Sequence, residues 1–250
     1  MTEPQEFGAA DPAAAAADLR ARVETATHAL LATAATLSDE QAREPSLLPG
    51  WSRGHLLTHL ARNADGLRNL LVWARTGVET PQYATPQARE EDIAAGADRP
   101  AAELLADDQQ AAAAFAAAAA SLAPGDWTAE VHGIRGSGHQ AWFTLWRRLS
   151  ELEIHHVDLG AGYTPADWPE PFPTQCLTRA AADFDRPDCP PAWLRSIDDG
   201  AEYQIGPSSA TAITTVTGRT HELLAWLIGR SKGEGLSVDP PAPLPVVPSW

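Results

Sequence analysis

Three side chains in this sequence have the types and the spacing to hold a metal ion. His59 lies in the run Gly54-His55-Leu56-Leu57-Thr58-His59-Leu60, and Glu151 and His155 stand four residues apart within Ser150-Glu151-Leu152-Glu153-Ile154-His155-His156-Val157-Asp158-Leu159. On a helix, positions i and i+4 project from one face a turn apart, so Glu151 and His155 can grip one ion that His59 reaches from another helix. Two imidazoles and a carboxylate leave a coordination position open. That is a known ligand set of catalytic zinc, whereas structural zinc is usually closed by four protein ligands, often thiolates. A Glu/His pair at this spacing also recurs on solvated helix faces, and it is weaker than His-Glu-x-x-His, which fixes two ligands and a base within one short run. Spacing alone leaves both readings open.

The elements that must position these residues are mostly helices. Asp11-Pro12 reads as an N-cap followed by proline at the first helical position, and an Ala/Leu run continues to about Leu37. Ser52 caps a second helix, in which Leu56, Leu60, Ala64, Leu67, Leu71 and Ala74 recur at helical spacing until Gly77 stops the run. His59 lies at the edge of that stripe and His55 is turned further from it. A third helix is expected from about Pro100 to Ala123, and a fourth, carrying the Glu/His pair, from about His139 to Leu159. On the fourth, Glu151, His155 and Asp158 share a polar strip flanked on one side by Leu145, Leu149 and Leu152 and on the other by Phe143, Ile154 and Val157. A polar strip between two apolar flanks suits a buried site better than a solvated face. Four long helices joined by loops suggest an antiparallel bundle, in which inward side chains on different helices can share a metal.

After Gly160-Ala161-Gly162 the composition shifts to a Pro/Trp/Asp-rich stretch, Tyr163 to Phe172, read as a linker or capping loop. Beyond it, Glu202 to Ile205 and the β-branched run Thr211 to Thr217 have strand character, and Glu222 to Ile228 reads as a short helix reaching Gly229-Arg230. Five prolines after Asp239 give an extended tail. The expected organisation is α+β, with a helical bundle over 1–166 and a smaller α/β domain with a Pro-rich tail over 167–250.

Charge and composition exclude several classes of function. With 250 residues and 44% apolar content the chain can bury a sizeable core. A net charge of -15 argues against a phosphate-backbone partner, because such binding needs clustered Lys and Arg. No apolar run approaches the roughly 20 residues that span a bilayer, and the acidic start Met-Thr-Glu-Pro-Gln-Glu-Phe lacks the basic beginning of a signal peptide. The expected setting is cytoplasmic, without membrane or nucleic-acid partners. Cys176 and Cys189 have no second thiol at metal spacing and read as ordinary reduced residues. Lys232 is the sole lysine beside many arginines and long alanine runs, which fits a GC-rich, actinobacterial genome.

The run Leu48-Pro49-Gly50-Trp51-Ser52-Arg53-Gly54-His55-Leu56-Leu57-Thr58-His59 with Asn63-Ala64, and the run Glu151 to Gly160, resemble the signatures of mycothiol-dependent maleylpyruvate isomerases, members of the DinB-like superfamily. A third segment is more discriminating. Trp73-Ala74-Arg75-Thr76-Gly77-Val78-Glu79-Thr80-Pro81, then Tyr83, Pro86, Ala88-Arg89 and Glu91, is similar to the loop of the isomerases themselves. The resemblance spans essentially the whole chain and implies a DinB-like bundle with His59, Glu151 and His155 as zinc ligands and His55 and His156 as non-ligand neighbours. Where relatives carry a small residue after the ligand histidine, this chain has His156. An arginine near the C-terminus is functionally important in the family, and it maps to Arg230. On pattern alone, Arg230 is a basic residue complementing the dipole at a helix end.

The resemblance implies cis–trans isomerisation of maleylpyruvate to fumarylpyruvate with Zn2+ and mycothiol. Adding a thiolate to a conjugated double bond lowers its order, allows rotation, and is reversed by elimination. A free thiol is little ionised at neutral pH, and contact with zinc favours the anion. Neither cysteine sits in a motif for this nucleophile, so the thiol is expected to be a small diffusible partner beside a small dicarboxylate substrate. Arg230 can hold a carboxylate with two parallel hydrogen bonds. Two other readings use the same residues: a mycothiol S-transferase that conjugates an electrophile permanently, and a non-catalytic metal-binding or interaction bundle.

Overall fold

The computed structural model describes residues 11–134, 138–211 and 214–250. Asp11 caps α1 (Pro12–Ala34), its carboxylate accepting from the Ala13 N–H at 2.9 Å, and Leu19, Val23, Ala26 and Leu30 bury one stripe of that helix. A short α2 (Asp39–Arg43) follows behind a Ser38 cap. Ser52 starts α3 (Arg53–Thr76), and Gly77 ends it in the left-handed region, φ 71°, where a residue without Cβ is unstrained. Next come α4 (Pro86–Gly96), capped by Thr85, and α5 (Ala101–Ala120). A small antiparallel hairpin, β1 (Glu130–His132) and β2 (Gly138–Gln140), precedes α6 (Phe143–Asp158).

The four long helices form a closed ring of neighbours: α3 packs on α5 and α6, and α1 packs on the same two. Leu56, Leu60, Leu67 and Leu71 of α3 and Leu145, Leu149 and Leu152 of α6 are all sealed from solvent. Helical character expected from His139 begins instead at Phe143. His139 belongs to the hairpin, whose base is closed by Ala141 N–H donating to Ala129 and Trp142 N–H donating to Trp127.

Packing divides the described residues into two compact units, one up to Gly162 and the other Tyr163–Trp250. In the second, α7 (Phe172–Asp183), β3 (Ala192–Ser196), β4 (Glu202–Ile205), β5 (Thr215–Gly218), α8 (Thr220–Leu227) and β6 (Ser237–Asp239) make one sheet with two helices. The strand order is β4-β3-β5-β6, with β3 and β5 parallel and both outer pairs antiparallel. The stretch 163–172 is not a free linker. Trp168 is buried and meets Phe172 edge to face, so these aromatics join the core of the second unit. Of the strand expected over 211–217, residues 215–217 lie in β5, and 212–213 lie outside the described residues. The Pro-rich tail is anchored where Arg186 donates to the Ser249 carbonyl at 2.8 Å and the Trp250 indole donates to Asp183 at 3.1 Å. No helix among the described residues is long and apolar enough to cross a membrane.

Candidate metal centre

The N-terminus of α3 fixes the first of the three residues. The Ser52 hydroxyl accepts from the His55 N–H at 3.2 Å, and the His55 ring nitrogen Nδ1 lies 2.7 Å from that hydroxyl and 3.3 Å from the Ser52 nitrogen. His55 is therefore occupied in capping its own helix. One turn on, His59 is buried and points into the bundle. It meets Glu151 and His155 of α6, with His59 Nε2 2.9 Å from Glu151 Oε2 and 3.2 Å from His155 Nε2, and His155 Nε2 3.2 Å from the same carboxylate oxygen.

These spacings test whether the three residues fit a metal. Donors at tetrahedral corners about 2.0–2.1 Å from a zinc ion lie about 3.3 Å from one another. The three edges here are 2.9, 3.2 and 3.2 Å, so one ion can be shared with only small adjustment. The donor set also suits zinc, with two imidazoles, one carboxylate and no fourth ligand among the described residues. The Glu151 side chain is 30% exposed against 5% for His59, so the triad opens to solvent on the carboxylate side.

The surroundings set the charge. Burial would raise the Glu151 carboxyl, but hydrogen bonds from His155 and His59 outweigh it and hold the group well below the usual carboxylate range. Burial pushes His59 below its ordinary value against the pull of Glu151. It acts downward on His155 too, yet hydrogen bonds to Asp158 and Glu151 prevail and raise that ring. Asp158, itself buried, lies 2.8 Å from His155 Nδ1, the carboxylate backing typical of metal-binding imidazoles. One turn below, the buried Arg148 donates to the Leu60 carbonyl and to Asn63 Oδ1, both at 2.9 Å, and so ties α6 to α3 directly beneath the triad.

Two residues given no individual role by sequence patterning also converge here. Arg89 of α4 places one guanidinium nitrogen 3.0 Å from His59 Nδ1, and its carbon lies 5.9 Å from the Tyr83 ring centre. Burial and the Glu151 charge raise the Tyr83 phenol above its ordinary value. The chain can approach α3 at Tyr83 because of Gly66: a Cβ there would come within 2.8 Å of the Gln82 carbonyl and 3.0 Å of the Tyr83 ring. The only signal for either residue was membership of the 83–91 segment. His156 turns away from the triad, its Nε2 lying 2.7 Å from the Thr33 hydroxyl of α1. Arg230 belongs to the second unit, following α8 and Gly229, and donates to the Ile228 carbonyl at 2.8 Å.

Fold and site together define a helical-bundle protein with an open three-donor centre on two of its helices. Residues 23–160, more than half of the chain, match the family described as the mycothiol maleylpyruvate isomerase N-terminal domain, and the chain belongs to that family. Two solved structures are similar to it. One is the crystal structure of the mycothiol-dependent maleylpyruvate isomerase, 28% identical, with a TM-score of 0.87 over 94% of this chain and 97% of that one. The other is a histidine-to-alanine mutant of that isomerase, with the same identity and coverage and a TM-score of 0.86. No curated protein sequence matches.

Proposed function

We propose that this chain is a zinc- and mycothiol-dependent isomerase that converts maleylpyruvate to fumarylpyruvate in the cytoplasm. The observation that carries this reading is the convergence of His59, Glu151 and His155 at metal-ligand spacing in a chain of this family. These three residues would hold the zinc ion, which when bound supplies a Lewis acid that favours the thiolate form of a docked thiol.

The chain's own residues do the rest. Glu151, kept ionised by its two histidines, contributes the negative charge that retains a dication, and Asp158 orients the His155 ring. Neither cysteine can serve as the nucleophile. Cys176 is buried, with its thiol pushed up to about 12, and Cys189 is buried and likewise raised, so both stay as inert thiols near neutral pH. An external thiol is then required. Arg230 is assigned to hold a substrate carboxylate through its planar fork.

Incubating purified protein with maleylpyruvate, with and without mycothiol, while following the trans product tests the proposal. Thiol-dependent fumarylpyruvate formation supports it, and a stable thioether without trans product would instead mark an S-transferase. Arg230→Lys keeps the charge but loses the two-point grip, so turnover should fall at least about tenfold while zinc content and melting temperature hold. Near-normal turnover would remove Arg230 from the site.

A further inference from the structure

Arg89 stands where a metal-binding histidine normally finds an acceptor. A neutral imidazole carries one N–H. Ligation through Nε2 uses the lone pair of that nitrogen, which leaves the hydrogen on Nδ1 and makes Nδ1 a donor. His155 meets this requirement, because its Nδ1 faces the Asp158 carboxylate at 2.8 Å. His59 does not: its Nδ1 faces an Arg89 nitrogen at 3.0 Å, and arginine has donors only. The Arg89 hydrogen bond and ligation by a neutral His59 therefore exclude one another.

Little else holds the guanidinium in this seat. Its other nitrogen pairs with Glu90 at 2.6 Å, but the Glu90 side chain is 66% exposed, and an ion pair in water is worth little. Tyr83 offers its ring, 5.9 Å away, and a side-chain hydrogen bond, the one partly buried contact besides His59. Arg89 can leave His59 without giving up a buried ion pair, since its carboxylate partner is in solvent and Tyr83 can follow or release it.

We infer that Arg89 is a displaceable guanidinium that metal loading moves off His59 and that then binds a carboxylate beside the metal centre, so that carboxylate binding and metal binding reinforce each other through this one side chain. The inference rests on the metal reading given above. Its ligand class follows from the guanidinium, whose two parallel donors match a carboxylate. With the triad atoms so close to its present seat, a dicarboxylate could present one end to Arg89 and leave its reactive portion over the open side of the triad. Arg89 would then be a positioning residue for substrate, and a brake on metal uptake when substrate is absent.

Zinc affinity, measured by competition with a chromophoric chelator, separates these effects from catalysis. Wild type, Arg89→Met and Arg89→Lys are compared with and without maleate as the dicarboxylate probe, with zinc binding by maleate itself subtracted from a protein-free titration. Arg89→Met should bind zinc about tenfold more tightly than wild type without maleate, the scale on which outer partners tune metal sites. Maleate should tighten zinc binding in wild type and have little effect in Arg89→Met. Arg89→Lys keeps a donor and the charge but not the fork, so its zinc affinity should stay near wild type while its maleate response shrinks. Equal zinc affinity in wild type and Arg89→Met, or an equal maleate response in the two, would overturn the inference while one zinc per chain left the metal reading intact. Absence of bound zinc from all three proteins would overturn both.

Discussion

The two histidines of the centre are built in opposite ways. His155 belongs to a set written along a single helix, with Glu151 one turn before it as a partner and Asp158 one turn after it as its acceptor. His59 has no such set on its own helix. Its neighbours come from elsewhere, with Trp51 edge-on from the loop before α3 and Arg89 from α4. The α6 half is prepared for a cation by local sequence, whereas the α3 half holds a cation already, in the form of a side chain.

The largest effect should come from removing either ring. His155→Ala and His59→Ala should each purify without zinc and without isomerase activity, against about one zinc per chain in the parent, as read by metal analysis. Full zinc retention in both variants would end the ligand assignment. The halves should part at the next level. Asp158→Asn is expected to weaken zinc binding by about 10- to 100-fold, opposite in sign to the change expected for Arg89→Met. Equal signs for the two variants would erase the contrast between the halves.

A smaller effect concerns the layer beneath. The buried Asp108 of α5 has a carboxylate oxygen without a hydrogen-bond partner, and burial raises this group well above its ordinary value despite the charge of Arg148. A raised carboxyl in the folded state favours folding fully below its unfolded value, about 3.9, and that stability is lost as pH rises through the folded value. Asp108→Asn escapes the loss. Its unfolding free energy, read from denaturant titrations, should match wild type near pH 4 and exceed it increasingly at higher pH, by up to about 1.4 kcal/mol for each unit until the raised value is passed. A gain that shrinks as pH rises would show that Asp108 is held ionised by Arg148, making the layer part of the bracing of both halves. The smallest effect belongs to the cysteines. Cys176→Ala combined with Cys189→Ala should leave thiol-dependent turnover unchanged if, as proposed, the nucleophile is an external thiol; loss of turnover in the folded double variant would place it in the protein.

The difference between the halves also explains what the sequence made legible. Asp11, Ser52 and Gly77 mark helix ends by local chemistry, and the Glu151/His155 spacing encodes one half of the centre on one face, so these were readable from the chain. Helix α4 was not, since only Ile93 and Gly96 of its residues are buried and no apolar stripe repeats along it. Arg89 shared that invisibility: its position depends on how Gly54 and Gly66 let neighbouring backbone approach α3, where a Cβ on Gly54 would strike the Ala97 carbonyl. Strand β3 and helix α7 escaped for similar reasons. β3 is a short strand entered through Pro190-Pro191, and α7 begins inside the proline-rich stretch that resembles a linker.

Trp51 gives the centre an optical property. Its indole lies edge-on to His59, ring centres 5.5 Å apart, and stacks on His55 at 6.3 Å. An emitter this close to a proposed ligand ring is an antenna for any ion bound there. Replacing zinc by cobalt, whose partly filled d shell drains excitation energy, should dim the part of the emission that comes from Trp51. Nine tryptophans share that emission, so the difference between the parent and Trp51→Phe isolates the one that watches the site.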